Sequence, residues 1–85
     1  MKHTPGPWNM RAFGDSFAAM AGDRRIAYFY GAFSDWPKET AEANARLGAA
    51  APDLLAACVY AIEDIAIGTE AYSMMKAAIA KAEGR

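Results

Sequence analysis

The polarity pattern along the chain changes period once, near Gly31. Ahead of that glycine, apolar residues alternate with polar or small ones, and glycine-aspartate pairs punctuate the runs. Trp8, Met10 and Ala12 fall on one face of a short strand, and Gly14-Asp15 marks a turn. Phe17 to Ala21 reads as a second strand, Gly22-Asp23 as a second turn, and Arg25 to Tyr30 as a third strand rich in aromatic and branched residues. Three consecutive strands with tight turns predict an antiparallel meander. A meander this small needs a helix on its apolar face.

Beyond Gly31 the period becomes helical. Ala32 to Trp36 reads as a loop, Pro37 suits the first turn of a helix, and the pattern runs to Ala50. Pro52 lacks the amide hydrogen that would continue this helix, so it is expected in the first turn of a second one, with Asp53 beside the positive helix end. Leu55, Cys58 or Val59, Ile62 and Ala66 then recur at spacings of three and four, and Gly68 is expected to stop the helix. Thr69 is the expected N-cap of a third helix facing inward through Tyr72, Met75, Ile79 and Ala82.

Together these elements predict an α+β fold in a single domain of 1–85: a three-stranded antiparallel β-meander over 8–30 packed against two to three C-terminal α-helices over 37–83. Of the 85 residues 54% are apolar, but many are alanines, which favour helix yet bury little area. The large side chains are therefore expected to carry the core: Trp8, Met10, Phe13, Phe17, Met20, Ile26, Tyr28, Phe29, Leu47, Leu54, Leu55, Val59, Ile62, Ile65 and Ile79. So lean a core, with small alanines on several sides of the helices, predicts a homodimer.

Nine Lys and Arg against ten Asp and Glu leave a formal net charge of −1 with the signs interspersed. Direct nucleic-acid binding is not expected from that balance, because it calls for a basic face and a high pI. The single cysteine, Cys58, excludes an internal disulfide, suits a reducing cytoplasm and falls in an apolar helical stripe, where a structural thiol is expected. The most apolar run, Leu54 to Ile62, is half the length a bilayer needs and ends at Glu63 and Asp64, so no membrane association is expected.

Catalytic apparatus is not visible. His3 is the only histidine, which leaves no His-His or Cys-His cluster for a metal and no histidine arranged beside Ser16, Ser34 or Ser73. The glycines stand singly, so no phosphate-cradling loop exists, and adjacent helical carboxylates at Glu63 and Asp64 diverge by about 100°. The expectation is a protein without catalytic residues, cofactor or metal.

Recognition has more to offer. The run YFYGAFSDW places Tyr28, Phe29, Tyr30, Phe33 and Trp36 within nine positions. Some of these aromatics must face the helices. One reading is that the aromatics seal the sheet against the helices; the sharper one makes Phe33 and Trp36, on the loop, anchors for a partner, because truncating an exposed interfacial aromatic is typically costly. The candidate partner-binding residues are Arg24, Arg25, Tyr30, Phe33, Asp35 and Trp36.

Two longer motifs carry a family resemblance. HTPGPW at His3 to Trp8 and EANARLGAAAPDLLAA at Glu42 to Ala57, with the closing KAAIAKAEG, resemble a set of small phage and prophage proteins across essentially the whole chain. The resemblance implies a phage accessory protein acting in the host cytoplasm. It also implies a structural rather than catalytic role for Pro5, Gly6 and Pro7. Small accessory proteins of phages commonly bind host machinery. The leading expectation is an anti-CRISPR inhibitor that binds a type I effector complex and blocks target DNA engagement. The alternatives are an oligomeric sponge for a nucleotide defence signal and a passive structural or regulatory adaptor.

Overall fold

A computed structural model of the chain describes residues 3–31 and 37–84. Three strands, β1 (Asn9–Phe13), β2 (Ser16–Ala21) and β3 (Arg24–Phe29), precede three helices, α1 (Lys38–Ala49), α2 (Ala51–Ala61) and α3 (Glu70–Ala82). A single 3-10 turn at Ile62–Asp64 follows α2. This is the expected α+β architecture, with the strands antiparallel in the order β1-β2-β3. The chain divides into two compact units, Pro5–Pro52 and Asp53–Arg85 with Met1–Thr4.

In the first unit the two hairpin turns pivot on Gly14 and Gly22, whose φ angles of 63° and 62° fall where a side chain is disfavoured. β1 pairs with β2 so that Met10 lies opposite Ala19 and Ala12 opposite Phe17. β3 pairs with β2 so that Phe29 lies opposite Phe17 and Ala27 opposite Ala19. These six residues share the inner face. Helix α1 covers that face with Ala41, Ala45 and Ala49, one residue per turn, all buried. Phe17 packs against Ala41 and Ala45, with Met10 and Phe29 at the margin. Gly48 keeps the helix close, since a Cβ there would stand 3.0 Å from the Phe29 ring.

The core is therefore built mostly from small residues. In the first unit Phe17 and Met20 are its only large buried side chains among the described residues, with Ala18, Ala19, Ala41, Ala45 and Ala49 the rest of its apolar part, and in the second unit Ile79 is the buried one. Several expected core residues lie outside it: Phe13, Leu47, Leu54 and Val59 are exposed. For Leu47 the cause is phase. It falls two positions after Ala45, nearly opposite on the helix, and the alanine row takes the sheet-facing stripe.

Helix boundaries follow local chemistry. Pro37 precedes α1, and its carbonyl accepts from the amides of Thr40 and Ala41, at 3.0 Å each. Pro52 occupies the first turn of α2, as its missing amide hydrogen favours. The expected continuation of this helix to Gly68 does not form. It ends at Ala61, and Ile65 is already extended with ψ 134°. Glu63 and Asp64 stand at the negative end of the helix dipole, and no basic residue in the last turn offsets them. Gly68, with φ 94°, instead forms the turn ahead of α3.

In the second unit Thr69 caps α3, its Oγ1 accepting from the Tyr72 amide at 3.2 Å and donating to the Ala66 carbonyl at 2.8 Å. Ile79 is buried and Tyr72 and Met75 are half-buried as expected, whereas Ala82 is exposed. No residue of α2 is buried.

Candidate functional site

The outer face of the sheet carries the most organised exposed side-chain cluster among the described residues. On β1 the residues alternating with Met10 and Ala12 are Asn9, Arg11 and Phe13, paired with Met20, Ala18 and Ser16 of β2. On β3 the same face receives Tyr28, opposite Ala18, and Arg25, opposite Met20. Arg25 and Tyr28 are three residues apart, and strict alternation would place them on opposite faces. A register shift at Ala19/Met20 leaves Ile26 as the extra residue of a bulge, which brings Arg25 onto the face of Tyr28.

The resulting layer is continuous. The Arg25 guanidinium carbon lies 4.7 Å from the centre of the Tyr28 ring, and that of Arg11 lies 5.7 Å from the centre of Phe13. Phe13 and Tyr28 are tilted neighbours at 5.9 Å, and Tyr28 meets Tyr30 edge to face at 4.7 Å. Beneath the layer Ala18 is completely buried and Met20 is 5% exposed. The layer itself stays open: Phe13 is 41% exposed and Tyr30 65%.

Of the residues picked from sequence, Arg25 and Tyr30 belong to this layer. Arg24 does not, since it pairs with Ala21 at the alternate register position. Phe33, Asp35 and Trp36 lie outside the described residues. Arg11, Phe13 and Tyr28 also belong to the layer, and the alternation of Asn9-Arg11-Phe13 against Met10-Ala12 signals the first two.

The end of β3 is fixed from below. The Gly31 amide donates to Ser16 Oγ at 3.2 Å, and a Cβ on Gly31 would run into the Asp15 carbonyl oxygen. The nearby carboxylate of Asp15 is held by Lys38 of α1 at 3.6 Å.

Elsewhere the described residues offer less. A cleft of about 440 Å³ in the second unit is lined by Val59, Ile62, Glu63, Lys76, Ile79 and Ala80 among others. Cys58 is a half-buried free thiol. His3 Nδ1 hydrogen-bonds the Thr4 carbonyl oxygen at 2.7 Å. No group of three or more His, Cys, Asp or Glu converges among the described residues, and no single helix there is long and apolar enough to cross a membrane.

The fold and this layer define a small α+β protein with an arginine-aromatic layer on the outer face of its sheet. Its whole length, residues 1–85, matches the family described as Salmonella phage P22 protein Y8K6. The chain belongs to that family and is a phage protein. No curated protein and no solved structure matches it.

Proposed function

We propose that this phage protein is a non-enzymatic host-interaction protein that works in the bacterial cytoplasm by docking the outer face of its sheet on a host protein complex. The observation that carries this reading is the open row of Arg11, Phe13, Arg25, Tyr28 and Tyr30. Exposed aromatics and arginines are the residue types that dominate protein interfaces. Membership in a phage family supports a host target. The narrower form of the proposal is inhibition of a type I CRISPR effector complex by blocking its engagement of target DNA, for which the phage origin is the support.

The test is direct. The protein is expressed in a bacterium whose type I CRISPR system targets an infecting phage, and plaques are counted. Plating restored by several orders of magnitude, and lost in a folded Arg11→Ala/Arg25→Ala variant, is the expected result. Unrestored plating removes the CRISPR form. An affinity capture from host extract that recovers the same proteins with wild type and this variant removes the sheet-face reading altogether.

A further inference from the structure

We infer that the partner segment received by the outer face is acidic: a carboxylate-bearing stretch of protein laid across the strands, gripped by the guanidinium groups of Arg11 and Arg25. The inference rests on the host-interaction reading and supplies the chemistry of the partner. Each guanidinium lies against an aromatic ring, Arg25 on Tyr28 and Arg11 on Phe13. A guanidinium held this way keeps its N–H fork free for a planar oxyanion, and some of the ordering cost is already met. Neither arginine is in an ion pair among the described residues, whose salt bridges are Lys38–Asp15 and Arg46–Glu42. The strand positions of this face, Asn9, Arg11, Phe13, Ser16, Ala18, Met20, Arg25 and Tyr28, include no carboxylate. The face is thus locally cationic in a chain of net charge −1.

Geometry matches an extended segment. Arg11 and Tyr28 lie on either side of Ala18, on β1 and β3, and Arg25 stacks back over Tyr28. The two arginines stand on strands two spacings, or about 10 Å, apart, and their guanidinium groups lie over Phe13 and Tyr28, rings that are neighbours at 5.9 Å. Carboxylates on one side of an extended peptide recur about every 7 Å, close enough for two of them to reach the two guanidinium groups. Phe13 and the exposed Tyr30 supply apolar area beside the charges.

A nucleic acid strand is the less suited polyanion. Stacked bases need open ring faces, and here Phe13 and Tyr28 each carry a guanidinium over the ring. A long phosphate chain would also meet the field of a protein with ten acidic and nine basic residues.

The experiment uses the full chain labelled with nitrogen-15 and follows the arginine Nε–Hε signals by NMR. The probe is a synthetic peptide alternating glutamate and leucine, with its lysine-leucine counterpart and an oligothymidylate of similar length as comparisons. The expected result is saturable movement of the Arg11 and Arg25 signals with the glutamate peptide alone, weakening as salt is raised. Arg25→Gln, with its melting point checked, is expected to lower that affinity about tenfold. Arg25→Lys keeps the charge but loses the fork, and is expected to fall between the two. Unmoved arginine signals at millimolar glutamate peptide overturn the inference, as does tighter binding of the oligothymidylate to the same signals. Peptide binding without any effect in the host assays would remove the proposed function and leave this inference standing. Host binding through the face without response to the glutamate peptide would do the reverse.

Discussion

Gly6 lies against Pro52: a Cβ added to the glycine would come within 3.1 Å of the proline Cβ and 3.2 Å of its Cγ. The proline-rich start of the chain and the Ala-Pro-Asp-Leu-Leu segment, some forty-five residues apart in sequence, thus meet at one point. The two motifs that mark the resemblance to phage proteins therefore share a structural contact, which gives Gly6 a packing reason to be glycine.

That contact leads to a graded expectation. Gly6→Ala forces a small displacement, while Gly6→Val forces a branched side chain into the proline ring and is expected to cost roughly 1–3 kcal/mol, as overpacking does. Urea unfolding of the two variants checks the order. Equal stability of Gly6→Val and wild type would show that the contact is not held in solution.

A second close approach sits at the exit of β3. Gly31→Ala places a methyl group on the Asp15 carbonyl oxygen, a backbone atom of the β1-β2 turn. The loss is expected to exceed that of Ser16→Ala, which removes the acceptor of the Gly31 amide and should cost about 1 kcal/mol. Thermal melts of both variants decide it. A Gly31→Ala protein melting above Ser16→Ala would show that the turn relaxes freely.

The meander was legible because alternation and two glycine-aspartate turns are local signals, and Thr69 was legible because capping is local too. The core was not. Phe13, Leu47, Leu54 and Val59 are large and apolar yet exposed, while Ala41, Ala45 and Ala49 are buried. Hydrophobic size suggests burial, but phase decides it, and on α1 the alanines hold the phase that faces Phe17. The arginine-aromatic layer was half legible. Strict alternation assigns Arg25 to the side of Phe29, and only the bulge at Ile26 brings it over to Tyr28. The helical spacing of apolar residues continues past Glu63 and Asp64, but their charges oppose the helix end, so α2 stops at Ala61.

This inversion of the core can be measured. Ala45→Leu adds three carbons at a completely buried site and is expected to lose roughly 1–3 kcal/mol. Leu47→Ala, at a residue 65% exposed, is expected to stay within about 0.5 kcal/mol of wild type. Denaturant midpoints compared at equal slope give the answer. A large loss in Leu47→Ala would place that residue in a contact, such as one between copies of the chain.

The third helix depends on its cap. Thr69→Ala removes both the acceptor for the Tyr72 amide and the donor to the Ala66 carbonyl, and should destabilise α3 by about 1 kcal/mol. Thr69→Ser keeps both bonds. Hydrogen exchange at the amides of residues 70–73 is expected to accelerate in the alanine variant alone. Unchanged exchange in Thr69→Ala would mean that α3 begins elsewhere.

The arginine-aromatic layer can be tested as structure before any partner is known. If Arg25 rests on Tyr28 in solution, the pair must be coupled, because removing the ring leaves the guanidinium nothing to stack on. A double-mutant cycle of Arg25→Ala and Tyr28→Leu is expected to return a coupling of about 0.5–1 kcal/mol, the size of an exposed cation–π contact. Tyr28→Phe keeps the ring and should preserve most of it. The Arg25 Nε–Hε proton gives an independent readout, since ring current shifts it upfield in wild type and in Tyr28→Phe but not in Tyr28→Leu. Ala18 beneath the ring adds a second check: its amide should exchange faster once Tyr28 is truncated, because its complete burial depends on what covers the outer face. Zero coupling with an unshifted Arg25 proton would mean that the guanidinium swings free. The outer face would then present mobile cations, and the ordering on which tight carboxylate binding depends would be lost.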